Sequence, residues 1–298
     1  MNYRSYADLS RTIVQNIGLL PRDIDLVVAV PRSGYLAAGI IALTLNRPLI
    51  DLGGFIEGRA PQNGSSRKPF TRETCRHALV VDDSVLSGTS LLKTKARIAA
   101  SGTTCQISYA AIFVTAQSKK LVDFFFDVCP FPRQFEWNVF HHEHLSRCCM
   151  MLDGVIGHPS KDRPYADAPA FILPTYPVRH LIAIRHGQSH EETTQWLTAH
   201  QVVCERLTLI EDSARGEDSA TSLARRKAQL YAHDHGAKLF IEEDPVQASQ
   251  ISHLAGKPVL CTRTQKVCRP PPFLVSTLTA KTIQTGRALA KRAWGFLG

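Results

Sequence analysis

Three continuous apolar runs in the first half of the chain, each followed by a polar turn, predict strands of a parallel sheet. They are DIDLVVAV at 23–30, CRHALVVDD at 75–83 and ISYAAIFVT at 107–115. Their lack of polar alternation is typical of strands buried on both faces. Helices are predicted between them, at 35–46 and at 91–102. Strands that alternate with helices favour an α/β fold with a doubly wound parallel sheet.

Two further elements and a loop complete the predicted first unit. Apolar residues at helical spacing over 6–18 predict a helix that ends at a glycine. PLIDLG at 48–53 predicts a short strand. The stretch from 53 to 74 is rich in glycine, serine, arginine and proline, which is typical of a polar loop.

A second series of elements begins near Cys148 and predicts another, smaller α/β unit. An apolar run at 148–157 ends in Asp-Gly, and HLIAIRHGQS at 180–189 predicts a strand followed by a loop. The remaining predicted elements are helices at 190–201, 224–236, 245–256 and 281–298, and strands at 238–244 and 257–263. The stretch from 131 to 147 has no clear period, so we expect the boundary there, with domains at 1–145 and 146–298.

Composition adds a positive charge and an expected location. The 298 residues include 35 Lys and Arg against 26 Asp and Glu, a formal net charge of +9, which favours anionic small molecules. No basic stripe is interleaved with aromatic residues, so no nucleic-acid partner is expected. The apolar runs are shorter than the roughly 18–20 residues that span a bilayer, so no transmembrane segment is expected. With no secretory signal and eight scattered cysteines, we expect reduced thiols and a cytoplasmic protein.

The segment HALVVDDSVLSGTSL at 77–91 carries the strongest chemical signal. A buried strand ends in two aspartates, and a loop of small and hydroxyl residues leads into a helix. Backbone N–H groups in such a loop, at a helix N-terminus, cradle a phosphate. Carboxylates repel phosphate but suit vicinal ribose hydroxyls, directly or through Mg²⁺. Together these groups predict a site for a sugar phosphate with free hydroxyls.

This segment resembles the motif by which type I phosphoribosyltransferases bind 5-phosphoribosyl 1-diphosphate (PRPP). The shared pattern is an apolar strand, Asp-Asp, three residues and Ser-Gly-Thr-Ser. The resemblance implies that Asp82 and Asp83 are catalytic and hold the ribose hydroxyls or Mg²⁺. It implies displacement at the anomeric carbon, with diphosphate leaving and Mg²⁺ bridging its oxygens. The implied ligands of PRPP in this segment are Asp82, Asp83, Ser84, Leu86, Ser87, Gly88, Thr89 and Ser90.

Two other segments extend the resemblance over about residues 1–140. VVAVPRSGYLAAGIIAL at 27–43 resembles the diphosphate loop of the same family, which implies that Arg32, Ser33 and Gly34 contact PRPP. The polar loop from 53 to 74 falls where the family places a flexible catalytic loop with cations for the departing diphosphate. Of its cations Arg59, Arg67, Lys68 and Arg72, we assign Arg59 and Lys68 to catalysis. A solvated surface loop with incidental charge is the alternative.

The second unit resembles a small phosphatase domain of the haloacid dehalogenase (HAD) superfamily in the order of its elements. That family begins with a strand ending in Asp-x-Asp-Gly, whose first aspartate is the nucleophile. Here Met151 stands at the nucleophile position, and Asp153 matches the second acid. The later family motifs are matched by Lys227 and by Glu242 and Glu243, whereas the Ser or Thr motif is missing. The resemblance therefore implies a degenerate HAD-like domain that lacks phosphatase activity.

A competing motif lies at Arg185–Ser189. Its sequence, RHGQS, reads like the signature of the histidine phosphatases. That family places the motif at the start of a larger domain, and only about 110 residues follow it here. We therefore favour a coincidental match in a loop at the end of a strand.

The acceptor of the phosphoribosyl group stays open. A fused HAD-like domain suits transfer to a glycan hydroxyl followed by removal of the 5-phosphate, as in the synthesis of a ribofuranose-containing polysaccharide. Because Met151 is not a nucleophile, a separate phosphatase would then be needed. A purine or orotate-type nucleobase is the alternative acceptor. A non-catalytic regulator that senses PRPP or nucleotides is an alternative of another class, and a homodimer is expected by analogy with the family.

Overall fold

The first domain of the computed structural model is an α/β unit with one main sheet. The structure describes residues 1–61, 75–157, 170–185, 190–211 and 217–271. The elements of the first domain are β1 (Asn2–Arg4), α1 (Tyr6–Asn16), β2 (Leu26–Ala29), α2 (Gly34–Leu45), β3 (Leu49–Asp51), α3 (Leu52–Glu57), β4 (His77–Val85), α4 (Thr89–Ala100), β5 (Gln106–Val114), β6 (Phe124–Val128) and β7 (Arg133–Phe135). Short 3-10 helices lie at Ile17–Leu19, Ser118–Leu121, Glu136–Asn138 and Glu143–Arg147.

The main sheet has five strands in the order β3-β2-β4-β5-β6, all parallel. The three predicted runs form β2, β4 and β5, and their apolar residues are buried on both faces of the sheet. Parallel strands end at one edge of a sheet, and ligands of such folds bind at that edge. The predicted parallel α/β fold is therefore confirmed for this domain.

Local boundaries differ from the prediction at the end of β4. The strand runs to Val85 rather than ending at Asp83, because Ser84 and Val85 pair with β5. The helix that follows begins at Thr89, two residues earlier than predicted. Asp82 and Asp83 therefore belong to the strand itself, and the turn between strand and helix is only three residues long.

The stretch from 131 to 147 is not a featureless linker. Its strand β7 pairs in parallel with β1 at the chain's N-terminus, with Tyr3 opposite Gln134. This small sheet closes over the carboxyl edge of the main sheet, where Phe135 packs against Phe113 of β5. No hydrophobic period is visible in this stretch, because a three-residue strand is too short to show one.

The second domain contains a six-stranded sheet in the order β10-β9-β8-β11-β12-β13. Its elements are β8 (Cys148–Met151), β9 (Val178–Arg185), α5 (His190–Ala199), β10 (Cys204–Glu211), α6 (Glu217–His233), β11 (Leu239–Glu242), α7 (Pro245–Ala255), β12 (Val259–Cys261) and β13 (Lys266–Cys268). The strands are parallel except for β13, which pairs antiparallel with β12. Strands β10 and β13 were not predicted. β10 is a half-exposed edge strand, and β13 has only three residues.

The chain's N-terminus also contacts the second domain. Met1 and Tyr3 pack against its hydrophobic core, and the Tyr3 hydroxyl lies 2.5 Å from Gln265 Oε1. Arg269 donates to the Met1 carbonyl at 3.0 Å. Tyr3 therefore contacts the second domain through its side chain and pairs with β7 of the first domain through its backbone.

Three predictions that are not limited to one domain concern the cysteines, membrane-spanning helices and the C-terminal helix. All eight cysteines are free, as expected for reduced thiols. Among the described helices, none has both the length and the apolar character needed to cross a bilayer. The predicted C-terminal helix at 281–298 lies outside the described residues.

Close packing of α2 against β4 gives a test of the fold. A Cβ on Gly34 would lie 2.8 Å from the Val81 carbonyl oxygen, whereas a Cβ on Gly39, later in the same helix, would meet nothing within 4 Å. We expect Gly34→Ala to lower the free energy of unfolding by about 1–3 kcal/mol. Gly39→Ala should raise it by about 0.4–1 kcal/mol, because glycine is poor in a helix interior. Urea unfolding measures both, and equal effects would contradict the close contact.

Candidate functional site

Two aspartates at the carboxyl end of the central strand form the chemical centre of the first domain. Asp82 is half-buried and lines a cavity, whereas Asp83 is only 3% exposed. The backbone N–H of Asp83 donates to Asp82 Oδ1 at 2.9 Å. Burial, and then the neighbouring Asp83 carboxylate, raise the pKa of Asp82 to about 8. Two carboxylates held out of water and side by side are a donor set that a divalent cation or ribose hydroxyls would satisfy.

Asp83 is held by a residue that the sequence analysis missed. Trp137 Nε1 donates to Asp83 Oδ2 at 2.8 Å. The Trp137 ring stacks on Phe135, with ring centroids 4.9 Å apart, and lies 5.7 Å from the Tyr6 ring. An indole N–H only donates, so the Asp83 carboxyl oxygen is the acceptor of this bond. Because 54 positions separate Trp137 from Asp83, no local pattern could have linked them.

The phosphate-loop residues surround one cavity of about 200 Å³. Gly88 has φ +86° and precedes α4, and no side chain caps this helix. The backbone N–H of Thr89 donates to Ser87 Oγ at the long distance of 3.4 Å, and the N–H groups that follow it in the first turn of α4 are left for a ligand or solvent. The Ser87 and Thr89 hydroxyls lie 3.0 Å apart, and both side chains are exposed. The residues that line the cavity are Asp82, Ser84, Val85, Leu86, Ser87, Gly88, Thr89, Ser90, Leu91 and Arg133.

The diphosphate-loop residues lie at the end of the adjacent strand. The turn between β2 and α2 contains Arg32 and Ser33, and the peptide bond between Pro31 and Arg32 is cis. Arg32 is exposed and donates to Asn138 Oδ1 at 3.0 Å. Gly34 brings the start of α2 against Val81 and Asp82. The close packing at Gly34 therefore brings both predicted PRPP-binding loops to one edge of the sheet.

The loop cations are placed only in part. Arg59 follows α3 and is exposed, and it pairs with Glu57 at 2.9 Å and with Asp51 at 3.5 Å. In this arrangement its charge is shared with two carboxylates. Lys68, with Arg67 and Arg72, lies outside the described residues.

Arg133 is a second cavity residue that the sequence analysis missed. It begins β7 and lies at the cavity with Asp82 and the phosphate loop, 43 positions or more from each of them along the chain. Its guanidinium lies over the Phe135 ring at 5.2 Å. The sequence offered only an arginine after two prolines in a stretch without a period, which is no signal for a ligand.

The candidate HAD-type residues of the second domain lie at the ends of adjacent strands. Asp153 follows β8, and its Oδ2 accepts from the backbone N–H of Ile184 at 2.6 Å. Gly154 has φ +78°, and Glu243 packs so closely that a Cβ on Gly154 would lie 3.1 Å from Glu243 Cβ. Arg263 pairs with the Glu243 carboxylate. Glu243 thus packs against Gly154, the residue after Asp153, and has a cationic partner.

Lys227 and Glu242 form a buried ion pair. Lys227 Nζ, on α6, lies 2.7 Å from Glu242 Oε2, and both side chains are less than 5% exposed. The other Glu242 oxygen accepts from the backbone N–H groups of Glu243 and Asp244. Met151 is buried in β8 and belongs to the core. Within the described residues, Lys227 therefore has Glu242 as its charge partner, and the nucleophile position holds a thioether.

A buried cluster of Cys149, His180 and Asp234 has the residue types of a metal site. However, the Asp234 oxygens already accept from Arg179 and Arg206, each at 2.7 Å. Arg206 also donates to His180 Nδ1 at 2.9 Å. Burial, and then Arg206, lower the pKa of His180 to about 4, so this imidazole is neutral at pH 7. Two guanidinium groups occupy the place of a cation, so this donor set does not fit a metal ion.

Comparison with known proteins finds similarity in the first domain. Residues 2–144 match the family model of the phosphoribosyl transferase domain. Similar solved structures include the purine phosphoribosyltransferase of Pyrococcus horikoshii Ot3, at 17% identity over 46% of this chain and 92% of that chain, with a TM-score of 0.35. The Helicobacter pylori xanthine-guanine-hypoxanthine phosphoribosyltransferase shares 20% identity over 46% and 93%, with a TM-score of 0.37. The orotate phosphoribosyltransferase of Aeropyrum pernix shares 17% over 41% and 71%, with a TM-score of 0.29. No curated protein matches the chain.

The raised pKa of Asp82 predicts a dependence of stability on pH. In the unfolded chain this carboxyl ionises near pH 4, whereas in the folded protein it keeps its proton to about pH 8. The folded state therefore binds more protons between these values, and stability falls as the pH rises. Without Mg²⁺, the free energy of unfolding of the wild type relative to Asp82→Asn should fall by at least about 1 kcal/mol between pH 5 and 8.5, the equivalent of about one pKa unit. Urea unfolding at both pH values measures this, and parallel profiles would contradict it.

The ion pair in the second domain gives another test. We expect Lys227→Met to lower the free energy of unfolding by about 3–5 kcal/mol, because Glu242 would stay buried without a partner. Lys227→Met combined with Glu242→Gln should recover part of the loss. Arg225→Met, at an exposed position of the same helix, should change it by less than about 0.5 kcal/mol. Urea unfolding measures all three, and a loss equal to that of Arg225→Met would refute the role of the pair.

Proposed function

We propose that this protein is a PRPP-dependent phosphoribosyltransferase with Mg²⁺ as cofactor. One observation carries the proposal: a carboxylate, a run of hydroxyls and the uncapped N-terminus of α4 share one cavity. A sugar phosphate needs both halves of this cavity, since the helix end attracts the anion and the carboxylate accepts from the hydroxyls. The family match of residues 2–144 supports the same activity.

Each predicted residue has a part in this proposal. Leu86 to Ser90 hold the 5-phosphate, and Asp82 and Asp83 hold the ribose hydroxyls or Mg²⁺. Arg32, Ser33 and Gly34 contact the diphosphate. The pair of carboxylates fits a divalent cation, because burial and then the neighbouring Asp83 carboxylate raise the pKa of Asp82, and a bound cation would offset both effects. When bound, Mg²⁺ neutralises charge on the diphosphate oxygens.

The chemical step is a displacement at the anomeric carbon of PRPP. The bond from this carbon to the diphosphate oxygen breaks, and its electron pair leaves with the diphosphate. An acceptor lone pair forms the new bond, and the acceptor releases its proton to solvent or to a nearby base. The protein's residues contribute mainly by fixing the sugar and the leaving group in position. Arg32 and the loop cations Arg59 and Lys68 stabilise the negative charge that develops on the diphosphate.

A nucleobase acceptor is supported by the aromatic residues beside the acids. Trp137 donates to Asp83, and Tyr6, which is 45% exposed, lies next to the Trp137 ring. The Arg32 side chain reaches Asn138, the neighbour of Trp137. A planar base could stack at such an edge, directly above the sugar.

A glycan hydroxyl is the other proposed acceptor, and this proposal depends on how the second domain is interpreted. We propose that this domain is a degenerate HAD-like unit, in which Asp153, Lys227, Glu242 and Glu243 remain and the nucleophile is absent. The buried Met151 and the ion pair between Lys227 and Glu242 are consistent with a loss of phosphatase activity. Transfer to a glycan would then require a separate phosphatase, and both this partner and a homodimer stay predictions.

The experiment is release of diphosphate from PRPP with Mg²⁺, first with purine and pyrimidine bases and then with glycan acceptors, with products followed by mass. A gain of phosphoribose on a base identifies a nucleobase enzyme, and a gain on a glycan with its 5-phosphate retained identifies the other acceptor class. Binding of PRPP without turnover on any acceptor would refute catalysis and favour a regulator that senses PRPP. Absence of PRPP binding would refute the whole proposal.

Asp83→Asn should reduce diphosphate release by at least about 100-fold, because the charge that orders the sugar and Mg²⁺ is lost. The asparagine oxygen can still accept from Trp137, so the fold should be unchanged. Asp23→Asn is the matched control, since Asp23 precedes β2 and its side chain is 70% exposed. Steady-state kinetics and circular dichroism compare the variants. Activity of Asp83→Asn equal to that of Asp23→Asn would refute the assignment of the site.

A further inference from the structure

The phosphate cavity of the first domain has one cationic residue in its lining. The loop from Ser84 to Leu91 contains only neutral residues, and Asp82 is acidic. The loop therefore offers an anion only uncharged N–H and O–H donors. Arg133 is the single cation among the lining residues of this cavity in the described structure.

The Arg133 guanidinium has an N–H donor group that no described residue uses. Its Nη1 is shielded from solvent and has no hydrogen-bond partner among the described residues. No described carboxylate lies within ion-pair distance of it, whereas Arg4 on β1 pairs with Asp127 at 2.8 Å. A buried donor is normally satisfied, and this unsatisfied one belongs to a residue that lines the cavity, so the guanidinium has capacity for a ligand there.

The side chain is also held in place before any ligand arrives. Arg133 begins β7, whose backbone pairs with β1, with Asn2 opposite Arg133. The guanidinium lies over the Phe135 ring at 5.2 Å, a geometry of cation–π attraction. Burial lowers the pKa of Arg133, and the nearby Cys129 and Asp83 oppose this shift. An arginine stays charged under such conditions, so the cavity contains a positioned positive charge.

Resting on the proposed function, we propose that Arg133 binds the 5-phosphate of the ribosyl substrate together with the loop from Leu86 to Ser90. A phosphate carries two negative charges at neutral pH, and the loop supplies none of the compensating charge. The guanidinium fork matches phosphate oxygens, and its bonds to them are charge-assisted. A cavity of about 200 Å³ is below the usual size of a pocket for a whole ligand and suits this end of the sugar phosphate.

The test separates the 5-phosphate from the diphosphate. Calorimetry with Mg²⁺ present measures the binding of ribose 5-phosphate and, separately, of inorganic diphosphate to the full chain. We expect Arg133→Gln to weaken ribose 5-phosphate binding by about tenfold or more and diphosphate binding by less than about threefold. Arg97→Gln is the matched control, because Arg97 is exposed on the last turn of α4, and it should leave both affinities unchanged.

Other outcomes would overturn the assignment. Equal weakening of both ligands by Arg133→Gln would show a general structural role, and unchanged binding of ribose 5-phosphate would exclude Arg133 from the phosphate site. If Arg133→Gln does not fold, Arg133→Lys, which keeps the charge but loses the fork, should still weaken ribose 5-phosphate selectively, by about threefold or more. Failure of the wild type to bind either ligand would instead refute the proposed function itself.

Discussion

The first domain depends on two carboxylates that the fold keeps out of water at the end of its central strand. The apolar run of β4 is buried between β2 and β5. Because Asp82 and Asp83 directly follow this run in the sequence, formation of the strand places both of them at the carboxyl edge of the sheet. Burial raises the pKa of Asp82. In the folded state, burial and then Asp83 therefore oppose the ionisation of Asp82, and a bound Mg²⁺ would offset both effects.

The residues around the acids divide into a local set and a distant set. The local set is the loop before α4, where Gly88 adopts a positive φ and the helix end is uncapped. The distant set comes from the small sheet of β1 and β7 and the residues after it. There Trp137 holds Asp83, and Arg133 brings a charge to the cavity. The phosphate loop alone supplies polarity without charge, so the segment that closes over it supplies the missing electrostatic component.

The second domain also has buried charged residues, but there each one is paired with an opposite charge. Lys227 and Glu242 are buried and paired, and Arg263 pairs with Glu243. The cluster of Cys149, His180 and Asp234 is likewise neutralised by Arg179 and Arg206. In the first domain, by contrast, Asp82 has Asp83 beside it and forms no ion pair within the described residues, and Arg133 Nη1 has no described partner. Unbalanced charge is thus concentrated at the phosphate cavity, where a ligand would balance it.

The sequence by itself predicted the parallel α/β fold of the first domain and identified the segment from His77 to Leu91 as the candidate site for a sugar phosphate. These features are local: burial pattern, two acids, a glycine and small hydroxyl residues lie within 15 positions. Only the tertiary structure decided that Asp83 is anchored by Trp137, that Arg133 reaches the cavity, and that Lys227 is paired with Glu242. The three-residue strand β7 has no period to detect, and its partner β1 lies about 130 positions away. Contacts between residues so far apart depend on how the layers pack, which hydrophobic periodicity along the chain does not encode.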